Sequence, residues 1–543
     1  MMKNKIYTTV FLAIIIALTL YMPLRLHHSL AAQNKGSKSA ILSSTFYNDA
    51  FYYLTIADNY SKTGLSTYDG KHLTNGYNIL WQNILNAALD NVSDKETEIR
   101  FTFILSLGLA LAAYLILFLL LFKITESRLL SILTIFPGFF YLLFSPALGL
   151  HYAPWSIING MESSLDVLLF TVILATGMMF IYGKLSKNAF YSVSSFLLAF
   201  LFLARYDEIS LFAAFLLTII IYEKNRKFKK LLYIGIIPII FIVIILVHNQ
   251  IAYGLALPVS GLEKSHFTLN NLGHIIMSVA TGRSSDYIAG EHLFSRILPL
   301  LIPLIFIPII SVKIEKEFED KNPRWITFLR ILKYYVLFKS IYILFFVDIW
   351  QQGYWYFFNQ VIIFNILLAL TIKLYLPKIT VNKIFNTLVI AVIIYFSHSY
   401  FLNYERNVLE TGKLNKSNVE RIHYLLANAL PNGKIIEMDD GIIAFSSNNE
   451  CLSGFGLCLD KEGYKAYKNN NLLQLAYKRG YRYLASINYF KKAGNIPEKV
   501  LGFNDFAQVP FFAIGQKERE IWKYSLVLKD KKTNLIVVEF NKK

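Results

Sequence analysis

"EKNRKFKKLLYIGIIPIIFIVIILV", residues Glu223 to Val247, runs a basic octet directly into an unbroken apolar stretch. A helix needs about 20 mostly apolar residues to cross a bilayer, and the apolar part reads as one crossing, near 230 to 247. Further windows of this kind lie near 7 to 24, 100 to 122, 129 to 147, 162 to 182, 188 to 204, 207 to 222, 296 to 312, 331 to 347, 356 to 375 and 383 to 400. That makes about eleven spans.

The composition agrees. The 543 residues are 55% hydrophobic and 17% charged, with a mean hydropathy of +0.44, far from the balance of a soluble globular chain. The net charge of +18 does not point to nucleic acid, because the basic residues occupy alternate loops: "GKLSK" (Gly183 to Lys187), "EKNRKFKK", "KIEKEFEDKNPRW" (Lys313 to Trp325) and "KLYLPKITVNK" (Lys373 to Lys383). This positive-inside pattern puts the N-terminus inside and the C-terminus outside, and favours phospholipid contact. The first apolar run reads as a retained helix, with "LAA" (Leu30 to Ala32) a passable cleavage site for the alternative, a signal peptide. Cys451 and Cys458, the two cysteines, both fall in the outside tail, where a disulfide and a pair of free thiols are both open.

The expected fold is an α-helical polytopic membrane protein, N-in and C-out, with a C-terminal extracytoplasmic α/β domain. Residues 1–402 form the membrane domain, with large outside loops at 25–99 and 248–295. Residues 403–543 form the soluble domain, in which runs such as "GKIIEMDDGIIAF" and "TNLIVVEF" alternate with the helical "YKAYKNNNLLQLAYKRG". In the first loop Tyr53, Ile56, Ala57 and Tyr60 follow helical spacing, so "DAFYYLTIADNY" is expected to be an amphipathic helix at the membrane surface, with Asn48 or Asp49 as its cap. A turn at "YDGK" (Tyr68 to Lys71) leads through "TNGYN" into a second helix, "ILWQNILNAAL".

The polar residues gather at the outside helix ends: Asn48, Asp49, Asn75, Asn78, Glu162, Arg205, Asp207, Glu208, Lys264 and Trp355. "ARYDE" (Ala204 to Glu208) sets an arginine and two carboxylates between two apolar segments, as a structural ion pair or as a cation for an anionic headgroup. Glu162 in "NGME" is a helix cap or a site residue. Lys264 in "LPVSGLEKS" is a candidate phosphate contact or a solvated lysine. The aromatics of "QQGYWYF", Tyr354 and Trp355 among them, suit a membrane belt or the stacking of a sugar or lipid. His27 and His28 read as interfacial. No Gly-rich Lys-Ser/Thr loop, HExxH or GxSxG occurs, so nucleotide hydrolysis, zinc proteolysis and serine hydrolysis lack support.

The strings "NDAFYYLTIADNYSKTGLSTYDGKHLTNGYNILW", "NGMES", "ARYDE" and "LPVSGLEK", in this order, resemble the polytopic C-type (GT-C) glycosyltransferases of bacteria that use polyprenyl-phosphate sugar donors, in particular the arabinofuranosyltransferase-like members. Those proteins open their first outside loop with Asp-Asp-Ala-Phe/Tyr and continue to a Thr-Asn-Gly-Tyr-His-Pro-Leu-Trp-like stretch. Here Asn48 replaces the first acid and Asn78-Ile79 the His-Pro, while Asp49 is kept. The resemblance implies sugar transfer from a polyprenyl-phosphate donor to an extracytoplasmic glycan, lipid or protein acceptor, in the cytoplasmic membrane of a bacterium. Asp49 would be the catalytic base, Arg205 and then Lys264 the phosphate contacts, and Asn48, Tyr52, Asn75, Tyr77, Asn78, Trp81, Glu162, Asp207, Tyr354 and Trp355 further substrate contacts. A divalent metal is left open. The rival from another class, a multi-pass transporter or lipid flippase, accounts for the helices and buried charges and less well for the outside loop and tail.

Overall fold

The computed structural model describes residues 46, 48–92, 94–126, 131, 157–273, 293–319, 322–347, 354–375, 419–438, 441–487, 522–530, 533 and 535–542. The spans read near 7 to 24, 129 to 147 and 383 to 400, the LAA site, and His27 and His28 lie outside these residues. The other eight windows coincide with helices. These are α3 (Lys95–Thr125), α4 (Ser163–Ile181), α5 (Lys187–Ala204), α6 (Ile209–Tyr222), α7 (Lys227–Ala252), α9 (Leu293–Phe318), α10 (Pro323–Phe346) and α11 (Phe358–Tyr375). Preceding them are α1 (Asn48–Thr63) and α2 (Ile79–Leu89), and the short α8 (Val259–Lys264) follows α7. Among the described residues α3, α4, α5, α7 and α11 are long and apolar enough to cross a membrane. The protein is a multi-pass membrane protein.

Local chemistry sets the helix starts. Asp94 caps α3 by accepting from the amides of Glu96 and Thr97, and Ser186 caps α5 by accepting from Ala189. Asn322 caps α10 just before Pro323, whose missing N–H costs nothing in a first turn. On α7, Ile236, Ile240, Val243, Ile244, Val247 and Ile251 stand exposed along one face, a stripe that water would penalise and lipid tails accept.

The tail folds as a mixed five-stranded sheet, in the order β2 (Glu450–Ser453), β1 (Lys434–Glu437), β3 (Tyr483–Ser486), β5 (Ile536–Lys542), β4 (Trp522–Lys529). The β2–β1 and β1–β3 pairs are parallel, the other two antiparallel. Strand alternation divides its apolar residues between two cores. Ile436, Leu484, Val538 and Phe540 pack with Tyr467 and Leu472, whereas Ile435, Ala485 and Val537 join the core that runs through α1, α2 and the bundle. The tail thus shares half of its core with the rest of the chain.

That sharing alters the reading of α1. A helix lying on the membrane surface keeps one face in water, yet Ala50 through Ile56 and Ala57 are all buried. The helix Ile442–Ser446 of the tail covers what would be the wet face, with the Phe51 and Phe445 rings 5.6 Å apart, so α1 is enclosed on every side from Ala50 to Ala57. The expected turn at Tyr68–Lys71 is present, with Asp69 Oδ1 accepting from the amides of Lys71 and His72.

Loop and tail meet backbone to backbone at Gly76, where an added Cβ would stand 1.9 Å from the carbonyl oxygen of Leu457. Gly76→Ala should therefore lower stability by about 1 to 3 kcal/mol, the usual cost of overpacking. Thermal unfolding reads this directly, and an unchanged midpoint would mean that the tail is not pressed against the loop.

Candidate active site

An open-mouthed cavity lies at the end of the bundle next to the tail, and Asp49, Tyr52, Asn78, Glu162, Arg205, Asp207, Lys264 and Trp355 all line it. Its walls come from α1, the start of α2, the approach to α4, the 3-10 turn Tyr206–Glu208, α8, α10 and the 3-10 turn Tyr354–Tyr356.

Asp49 sits in the first turn of α1 and accepts a hydrogen bond from Lys264 Nζ at 2.9 Å, across 215 residues of sequence. Both side chains are partly open, at 16% and 24% exposure, so the pair can be reached from the cavity. Lys264 is thus not merely solvated. Glu162 precedes α4 but makes no side-chain cap; its carboxylate accepts from Tyr53 Oη at 3.0 Å and lies 3.8 Å from Arg205. Tyr53 in turn accepts from Asn78 Nδ2 at 3.0 Å and stacks on Tyr52 at 4.6 Å. Burial and the neighbouring Glu162 raise the Tyr53 phenol far above its ordinary range, so it stays a neutral donor to that carboxylate.

Arg205 is the most committed cation. Its Nε and one terminal nitrogen donate to the two oxygens of Asp207, both at 3.1 Å, the other terminal nitrogen donates to the carbonyl of Trp355 at 3.0 Å, and the Tyr356 ring lies 4.9 Å away. It is 4% exposed. Lys339 Nζ donates to the same carboxylate, so Asp207 is held between two cations. The ion pair left open by the sequence is therefore present, although Arg205 also borders the cavity.

Beneath it runs a buried polar chain. Lys339 Nζ of α10 donates to Asp207 and, at 2.7 Å, to Glu208; Tyr335 donates to Glu208 at 3.2 Å; Asn359 Nδ2 of α11 lies 3.1 Å from Asp166 of α4 and 3.3 Å from Glu208. The sequence reading missed Lys339, Asp166 and Asn359. Each is a strongly polar residue within an apolar window, which is itself a signal of a paired interior group.

Other expected contacts lie off the described lining. Asn75 accepts from the amide of Val259 and donates to the carbonyl of Leu257, Tyr77 bonds to Tyr253, and fully buried Trp81 donates to the carbonyl of Gly160. These three brace the loops around the cavity. The side chains of Asn48 and Tyr354 lie outside the described residues. Among the described residues no three His, Cys, Asp or Glu side chains group to hold a metal ion. Cys451 and Cys458 are free and buried, and burial pushes the Cys451 thiol up, which makes it unreactive.

No protein-family model and no curated protein matches the chain. Among solved structures, the crystal structure of ArnT from Cupriavidus metallidurans in the apo state is similar over 99% of this chain and 98% of its own, with a TM-score of 0.50 and 10% identity. The chain shares the fold of that structure. The Archaeoglobus fulgidus oligosaccharyltransferase, tethered with an acceptor peptide containing the NVT sequon, is similar over 97% of this chain and 74% of its own, with a TM-score of 0.43 and 11% identity. The fold brings Asp49, Glu162, Arg205 and Lys264, which lie far apart in sequence, to one cavity.

Proposed function

We propose that this protein is a membrane glycosyltransferase that moves a sugar from a polyprenyl-phosphate-linked donor to an extracytoplasmic glycan, lipid or protein acceptor. The observation that carries the reading is the Asp49–Lys264 pair, a carboxylate and an ammonium partly open to one cavity at an end of a membrane bundle. The cavity faces the extracytoplasmic side of a bacterial cytoplasmic membrane, and residues 403–543 form the extracytoplasmic domain above it.

In this mechanism the donor phosphate competes for Lys264 and draws the ammonium off Asp49. The freed carboxylate takes the proton of the acceptor hydroxyl as its oxygen attacks the anomeric carbon. The bond from that carbon to the phosphate oxygen breaks, and polyprenyl phosphate leaves with the electron pair, its charge met by Lys264 and the nearby Arg205. Tyr52 and Trp355 offer aromatic faces to the sugar. Because the donor carries its energy in its phosphoester, no nucleotide loop is needed.

Purified protein should release polyprenyl phosphate from a labelled lipid-linked sugar when an acceptor is present. Failure across a panel of such donors, with transport of the intact lipid instead, would favour the flippase reading.

Arg205 has two tasks in this scheme and the structural one dominates. Arg205→Lys keeps the charge but loses the fork on Asp207 and the bond to Trp355, so stability should fall by about 1.5 to 3 kcal/mol, the worth of a hydrogen bond to a charged group. Thermal unfolding and donor binding on the same preparation separate the tasks. A large loss of donor affinity at unchanged stability would make Arg205 chiefly a phosphate ligand.

A further inference from the structure

The cavity owes its more open cation to α8, a helix of six residues that ends at Lys264. Helices shorter than about 12 residues do not hold themselves in water, so the direction of Lys264 depends on what grips α8 from outside. Three grips are present. At its start Val259 donates its amide to Asn75 Oδ1 at 3.2 Å. At its end Ser265 bonds to Tyr342, and the amides of His266 and Thr268 donate to the carbonyls of Phe346 and Phe345.

The third grip comes from the tail. Glu263 accepts from Tyr467 Oη at 3.2 Å and pairs with Lys468 Nζ at 2.8 Å, both on the helix Lys461–Lys468. The same helix lays the side chain of Lys461 over Gly254, where an added Cβ would meet it at 2.8 Å. Glu263 and Lys264 are neighbours in the chain, and successive residues of a helix point about 100° apart. One faces the tail while the other faces Asp49. Neither Glu263 nor any residue of Lys461–Lys468 lines the cavity.

We infer that Glu263 is a positioning residue for Lys264, and that the tail helix Lys461–Lys468 sets the affinity of the site for a lipid phosphate by holding α8 in register over Asp49. The inference rests on the reading of Lys264 as the phosphate contact. It gives the tail a part in binding the donor, beside any part in choosing the acceptor.

The test uses full-length protein in detergent, with a polyprenyl monophosphate as probe and calorimetry as readout. Glu263→Lys and Lys468→Glu should each weaken probe binding by about fivefold, the ceiling for a partly exposed ion pair, and the double exchange should restore it to within about twofold. Should Glu263→Lys fail to fold, Glu263→Gln keeps the hydrogen bond from Tyr467 and loses only the charge, for a loss of about twofold. A merely structural Glu263 would lower the unfolding temperature and leave probe affinity alone, which overturns the inference. So would single variants that weaken binding without rescue by the exchange. Lys264→Ala separates the inference from its premise: unchanged binding in that variant would sink the phosphate reading, and the latch with it. Weakened binding in Lys264→Ala beside parental binding in the Glu263 and Lys468 variants would sink the latch alone.

Discussion

Asp49→Asn is expected to leave a folded, membrane-inserted protein whose sugar transfer falls by a factor of about 10² or more, the contribution of a general base. The substitution keeps size, shape and an acceptor oxygen for Lys264, and the first turns of α1 remain enclosed by the tail and the bundle. What it removes is the capacity to take a proton. Asn caps a helix about as well as Asp, so a structural role for Asp49 would survive the change. Transfer measured at equal expression decides between the two, and a rate within a few-fold of the parent would move the base elsewhere. Glu162 is the next candidate, since its carboxylate borders the same cavity.

Lys339→Met should be the most destabilising of these substitutions, by about 3 to 5 kcal/mol, as expected when one partner of a buried pair is removed. Lys339 is fully buried and its ammonium joins Asp207 to Glu208. Without it Asp207 keeps Arg205, whereas among the described residues Glu208 keeps the neutral donors Tyr335 and Asn359. Pairing the change with Glu208→Gln should recover part of the loss, because the stranded charge goes as well. Thermal unfolding of the single and double variants provides the measurement. A Lys339→Met protein as stable as the parent would show that these carboxylates are held neutral or reach water.

How far each feature could be read ahead follows the range of the interaction behind it. The eight span windows that fall on described residues, both loop helices, the turn at Tyr68–Lys71 and the alternation of strand and helix in the tail were legible, because each arises from hydrophobic period, capping or turn chemistry within a few residues. The cavity-lining residues Asp49, Glu162, Arg205 and Lys264 were legible as polar groups at helix ends. The enclosure of α1 was not, because its stripe of Tyr53, Ile56, Ala57 and Tyr60 suits a lipid surface as well as a protein one, and the cover comes from Ile442–Ser446 some 390 residues later.

By itself, then, the sequence determined that the chain crosses a membrane many times, carries an α/β tail, and gathers a set of polar residues at the outside helix ends. Only the tertiary structure decided how those charges pair. Arg205 turns to Asp207 two residues away and to the Trp355 carbonyl, Lys264 to Asp49, and Glu263 to Lys468 in the tail. The physical reason is that a buried or half-buried charge must find a partner, and the identity of that partner depends on which helix ends the fold brings within a few ångströms, a fact that no local pattern encodes.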